Sequence, residues 1–168
     1  MSSPFSFPNP VNEVSARGVA ACTALIGLIC LVTRQPWIMV VLAVEFALRV
    51  AWGPRFEPLA QLVTRVITPR LPFAERLTPG PPKRFAQAVG LVFTVSASVL
   101  FYALGLSLAA YGLIVVLVVF ALLESGLGFC AGCKTFALLM RLGVIPRSVC
   151  EECNDLSLRW GRLDTSAS

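Results

Sequence analysis

Four cysteines near the C-terminus carry the chain's most explicit chemistry. Cys130-Ala131-Gly132-Cys133 and Cys150-Glu151-Glu152-Cys153 form a C-x2-C-x16-C-x2-C pattern. A spacer of about 15–20 residues between two such pairs is that of a four-thiolate zinc site, whose tetrahedron needs four soft ligands. Paired thiols also exchange disulfides or persulfides, provided one of them ionises readily. The flanking residues separate the two pairs. A short apolar helix is expected from Lys134 to Leu142, ended by Gly143 and Pro146, so the first pair lies at a helix N-terminus beside a lysine. Both features lower a thiol pKa. Glu151 and Glu152 act oppositely on the second pair, through like-charge repulsion. One ready pair and one reluctant pair suit a thiol-redox or sulfur relay, with Cys130 and Cys133 reactive and Cys150 and Cys153 as resolving partners. The alternative keeps all four, Cys130, Cys133, Cys150 and Cys153, as ligands of a structural zinc, the one cofactor the pattern suggests. With no histidine in the chain, His-based triads, general bases and metal sites are excluded.

The elements that must position these thiols are apolar. Hydrophobic residues make up 57% of the 168 residues, charged residues only 14%, and the mean hydropathy is +0.79. A soluble fold carries about 25% charged residues. This chain cannot cover itself with polar surface, so its main partner is a lipid bilayer; no nucleic-acid interface is expected. A freely soluble enzyme, a disordered tail and a secreted disulfide mini-protein are excluded. Residues 85–123 contain no charge, enough for two membrane helices of about 20 residues. Arg17 and Arg34 bracket another uncharged run, and Pro36 fits the first turn of a helix that follows. The expected fold is all-α, a single membrane domain over 1–168. Its four spans, at about 16–33, 36–51, 85–104 and 107–124, form two helical hairpins. Met1 to Ser15 holds no Lys or Arg, so no cleaved signal is expected.

Of the 14 Lys and Arg residues, 13 fall on the side of the termini and the 52–84 segment, and only Arg34 lies opposite. The positive-inside rule places both termini in the cytoplasm of a cell (inner) membrane protein. Reducing conditions there disfavour permanent disulfides. Within the long segment, Phe56, Leu59, Leu62, Val63, Val66 and Ile67 fall on one face and Glu57, Gln61, Thr64, Arg65 and Thr68 on the other. That split predicts an interfacial amphipathic helix at about 56–68, serving as a strut between the hairpins, with the tetracysteine tail over 125–168. Glu45 lies within the second span and Arg49 one turn later, an intramembrane charged pair at i,i+4. It reads as a structural pair. The functional alternative is a small transporter built on Glu45, which requires a homo-oligomer because four short spans leave little room for a pore. Cys22 and Cys30, inside the first span, read as small apolar side chains.

Several stretches together resemble one bacterial membrane family, known as domain of unknown function 4395. They are Phe7-Pro8-Asn9-Pro10-Val11-Asn12-Glu13, Gly53-Pro54-Arg55-Phe56, Pro81-Pro82-Lys83-Arg84-Phe85-Ala86-Gln87, Gly128-Phe129-Cys130-Ala131-Gly132-Cys133-Lys134 and the closing Cys150/Cys153 pair. The resemblance implies an integral membrane protein of unassigned activity, with thioredoxin-like or sulfurtransferase proteins as the associated partners. The charge asymmetry has a direct check. A cytoplasm-active reporter fused after Ser168 is expected to be active, and the same reporter inserted at Leu106 inactive; the reverse pattern refutes the orientation.

Overall fold

Helix ends, more than helix middles, set the architecture. The structure is a computed structural model that describes residues 11–52, 58–67, 70, 77–146 and 149. Asn12 starts α1 (Glu13–Thr33) by accepting a hydrogen bond from the Val14 N–H at 2.9 Å, the usual N-cap arrangement. Arg34, in the left-handed region at φ 54°, ends it. Three residues later α2 (Trp37–Trp52) begins, the Met39 N–H donating to the Pro36 carbonyl at 3.0 Å. Next come α3 (Pro58–Leu62), a π-helical turn (Val63–Ile67), α4 (Gly80–Tyr102), α5 (Ser107–Leu127) and α6 (Ala131–Arg141). A two-residue strand β1 (Val11–Asn12) pairs antiparallel with β2 (Leu77–Thr78), tying the start of α1 to the start of α4.

Helix α1 packs on α5 and α2, α4 packs on α2 and α5, and α6 lies on α4. The first four long helices thus close a ring around a core of Cys30, Met39, Leu42, Phe46, Ala97, Ala110 and Ile114. Outside the ring the large apolar side chains Leu25, Val44, Val92, Val119 and Leu122 are exposed, the pattern of a bundle solvated by lipid. Close approach depends on glycine at two crossings. A Cβ on Gly90 would sit 2.3 Å from Phe46 Cε1, and one on Gly27 would sit 2.4 Å from Val118 Cγ2.

Polar groups gather at the two ends. At one, Arg17 Nε donates to the Ser125 carbonyl at 3.1 Å and Nη2 to the Gly126 carbonyl, while Arg84 Nε donates to the Val50 carbonyl at 3.1 Å. Each arginine therefore satisfies carbonyls that the end of a neighbouring helix leaves open. At the other end the Tyr111 hydroxyl donates to the Arg34 carbonyl at 2.9 Å, and the Arg34 guanidinium lies over the Tyr111 ring.

The observed elements correct the expected boundaries in three places. Three helices, α1, α4 and α5, are long and apolar enough to cross a membrane. With 16 residues, α2 is about 24 Å long, less than the roughly 30 Å hydrocarbon core. Helix α4 starts at Gly80, not near 85, because Pro81 and Pro82 occupy its first turn, where a missing N–H breaks no helical bond. Lys83 and Arg84 are therefore helical. The expected amphipathic helix at 56–68 is, among the described residues, α3 and its π turn. Within it Ala60 and Val63 pack into α1 beside Val19, and Leu62 is exposed.

Packing at the α2–α4 crossing is testable. Gly90→Ala is expected to destabilise the bundle by about 1–3 kcal/mol, since the added methyl group forces the Phe46 ring out of its packed position. Gly112→Ala, whose Cβ meets nothing within 4 Å, is expected to be neutral or stabilising by up to about 1 kcal/mol. Thermal unfolding in detergent distinguishes the two; equal midpoints would refute the crossing.

Candidate functional site

The reversal between α5 and α6 positions the first cysteine pair. Gly128, at φ 67°, ends α5 with its N–H on the Glu124 carbonyl at 3.0 Å, and the Phe129 N–H donates to the Leu123 carbonyl at 3.2 Å. The first of these, with Gly128 in the left-handed region, closes the helix as an αL cap. The chain then enters α6 with Cys130 as its N-cap, the Sγ accepting from the Cys133 N–H at 3.4 Å. A sulfur here does what an Asn or Ser oxygen usually does. Cys130 is buried at 7% exposure, Cys133 is half-buried, and both are free thiols. Phe136 anchors the helix against Phe85 of α4, their ring centroids 5.6 Å apart. Gly132 lies so near α4 that a Cβ there would be 2.6 Å from the Ala86 Cα.

The two thiols are electrostatically unequal. Cys130 is held below the ordinary thiol range first by the hydrogen bond from the Cys133 thiol, then by the Cys133 N–H and the nearby Lys83 ammonium; burial and Glu124 oppose this. Cys133 is pushed well above that range because its proton is engaged by Cys130, with burial and the Cys130 charge adding to the effect. The first pair is thus asymmetric within itself: Cys130 ionises more readily than Cys133.

The cation that acts on the pair is not the one next to it in sequence. Lys134 is exposed. Lys83, from α4, is buried beneath Cys130 and bridges to Glu124 Oε1 of α5 at 2.5 Å. Sequence reasoning missed both partners, although the charge map contained the signal. Residues 84 and 124 bound the uncharged run, and a turn at its middle brings those ends side by side.

The other expected residues are placed as follows. Glu45 and Arg49 form their i,i+4 ion pair at 3.3 Å, with Arg49 buried, its Nη1 donating to Thr23 Oγ1 at 3.0 Å and its guanidinium 5.0 Å from the Phe46 ring centroid. Cys30 is fully buried in the core, and Cys22 packs beside Val19, Ala60 and Val63. Cys150 and Cys153 lie outside the described residues. Among the described residues no group of three or more His, Cys, Asp or Glu side chains is close enough to hold a metal ion. A cavity of about 220 Å³ opens between the helices beside Cys130, its wall including Thr23, Phe46, Arg49, Gln87 and Glu124.

A family model described as Domain of unknown function (DUF4395) matches residues 11–141. The chain belongs to this family. The DUF4395 match runs from β1 to the last residue of α6, so it includes Lys83, Glu124, Cys130 and Cys133 and stops before Cys150. No curated protein matches the chain, and no solved structure does.

The asymmetry of the pair predicts a pH signature. The thiolate is the alkylated species, so a lower pKa means faster labelling at neutral pH. Cys133→Ala removes the main donor to Cys130 and is expected to move the midpoint of Cys130 alkylation to higher pH. Glu124→Gln removes an opposing charge and is expected to move it lower. Iodoacetamide labelling across pH checks both; identical midpoints in all three proteins would refute Cys130 as the more readily ionised thiol.

Proposed function

We propose that this DUF4395 protein is a four-crossing membrane protein with both termini cytoplasmic, presenting a thiol-redox or sulfur relay at the cytoplasmic end of its bundle. The observation that carries this reading is the Cys130 sulfur as N-cap of α6, receiving both the N–H and the thiol proton of Cys133. A pair so arranged has an attacking sulfur and a resolving sulfur already distinguished. The fourth crossing is α2, short but flanked by Trp37 and Trp52, with Arg49 near its end. Interfacial indoles and local thinning of the bilayer accommodate a helix of that length.

The chemistry is exchange between the two C-x2-C pairs. The Cys130 thiolate attacks one sulfur of a Cys150–Cys153 disulfide, forming a mixed disulfide and releasing the other sulfur as a thiolate. Cys133 gives up its proton and attacks Cys130, so that a Cys130–Cys133 disulfide forms and the tail pair leaves as two thiols. The reverse sequence is the same set of steps. The tail pair then exchanges with a soluble thioredoxin-like protein, or with a sulfurtransferase whose persulfide supplies the sulfur. A buried Cys130 suits this division of labour, because a slender chain segment reaches it more readily than a folded partner does.

Metal content and pair-resolved alkylation of protein purified anaerobically in detergent test the reading. Little bound metal, with Cys130 labelled well ahead of Cys150, is the expected result. Near-stoichiometric zinc with all four cysteines protected would assign the site to structural metal binding, and equal slow labelling of both pairs without metal would remove the relay.

A further inference from the structure

We infer that the cavity beside Cys130 binds the ring of a membrane quinone, which accepts two electrons and two protons from the Cys130–Cys133 pair. The inference rests on the relay reading and adds the terminal oxidant.

The argument begins with what Cys130 touches. It is 7% exposed, and the open space on its wall is a cavity within the bundle, between α1, α2, α4, α5 and α6. An oxidant that reaches the sulfur from that side must be small, apolar and soluble in lipid. The volume, about 220 Å³, is that of a ring and its substituents; an apolar protein cavity of about 150 Å³ already takes up benzene. Phe46, Phe93 and Phe120 line it, offering faces and edges suited to a flat ring.

Polar groups on the same wall exclude a plain hydrocarbon as the best fit. Among the described residues Gln87 Oε1 is a buried acceptor with no hydrogen-bond partner, and such an oxygen is costly unless a donor reaches it. A hydroquinone brings an O–H to that position; the oxidised ring is met by the same amide through its NH2 end after rotation of the side chain. The Arg49 guanidinium, paired with Glu45 and bonded to Thr23, also lines the cavity. Charge that grows on a quinone oxygen during reduction is stabilised by a cation in a site of low dielectric. Few lipid-soluble metabolites other than quinones combine a flat ring, two hydrogen-bonding oxygens and two-electron chemistry.

The step balances without a further reactant. The S–H bonds of Cys130 and Cys133 break and one S–S bond forms between them. The two electrons and two protons pass to the quinone, whose carbonyl oxygens become the hydroxyls of the hydroquinone. The resulting disulfide is then reduced by the tail pair, so oxidising equivalents pass from the bilayer towards the cytoplasmic partner.

The test uses the full chain, reduced, in detergent and without oxygen, with a fully substituted benzoquinone carrying a decyl tail as probe, because a ring without free positions does not form stable thiol adducts. Hydroquinone is followed by absorbance and the disulfide is located by peptide mass. At least one hydroquinone per chain, a rate that saturates with quinone, a disulfide at 130–133 and loss of the reaction in Cys130→Ser are expected. Gln87→Leu is expected to raise the half-saturating concentration about tenfold, the effect of one lost buried hydrogen bond, while its oxidation by glutathione disulfide stays at the wild-type rate. A quinone rate that is linear in concentration and the same in Gln87→Leu overturns the site. Oxidation by glutathione disulfide but not by quinone also overturns it and leaves the relay standing. A pair inert to both oxidants removes the relay and this inference together.

Discussion

Lys83 and Glu124 meet at 2.5 Å at the end of the α4–α5 pair, and the arrangement around the thiols depends on that contact. Removing one partner from such a buried pair strands the other, at a cost of about 3–5 kcal/mol. The bridge therefore holds the ends of α4 and α5 level, and the short reversal at Gly128 starts from a fixed point. Arg17 and Arg84 extend the same logic to their neighbours by covering the open carbonyls at the ends of α5 and α2. Such end contacts give the last carbonyls of α5 and α2 partners within the protein.

On that platform α6 presents its N-terminus, and two ordinary cysteines become different from each other. The hydrogen bond between the two thiols supplies most of the difference, and position in the helix adds to it. Cys130 sits where backbone N–H groups point outward, whereas Cys133 is inside the first turn and donates to it. Lys83 and Glu124, of opposite sign, largely offset one another at the sulfur, so the pair's polarity arises from the turn more than from the nearby charges. The ion pair contributes position, and the turn contributes chemistry.

How far all this is legible in the sequence depends on whether the cause is local. The helical class, the family, the end of α6 before Gly143 and the Glu45–Arg49 pair follow from composition or from residues within a turn of each other, although α6 begins at Ala131 and takes in Cys133, ahead of the expected start at Lys134. What escapes depends on contacts across helices. The π turn at Val63–Ile67 exists where the segment meets α1 at Gly18, and nothing within 56–68 announces it. Pro79–Pro82 reads as a break, yet it opens α4, because proline is harmless in a first turn and the sequence does not say which side of it the helix lies on. Lys83 lies 47 positions from Cys130, and only a turn that folds the uncharged run in half makes them neighbours. The cavity, made of residues from five helices, has no signature along the chain at all.

Gly132 gives the cysteine motif an unusual division of roles. In a C-x2-C turn the two middle side chains are ordinarily the natural place to adjust a reduction potential, since they flank both sulfurs. Here one of them has no room to exist, because α4 occupies the space at the Ala86 Cα. The surroundings of the sulfurs are thus written largely in another helix, some forty-five residues upstream. A substitution in the first two turns of α4 can then change the surroundings of both sulfurs with no change at 130–133.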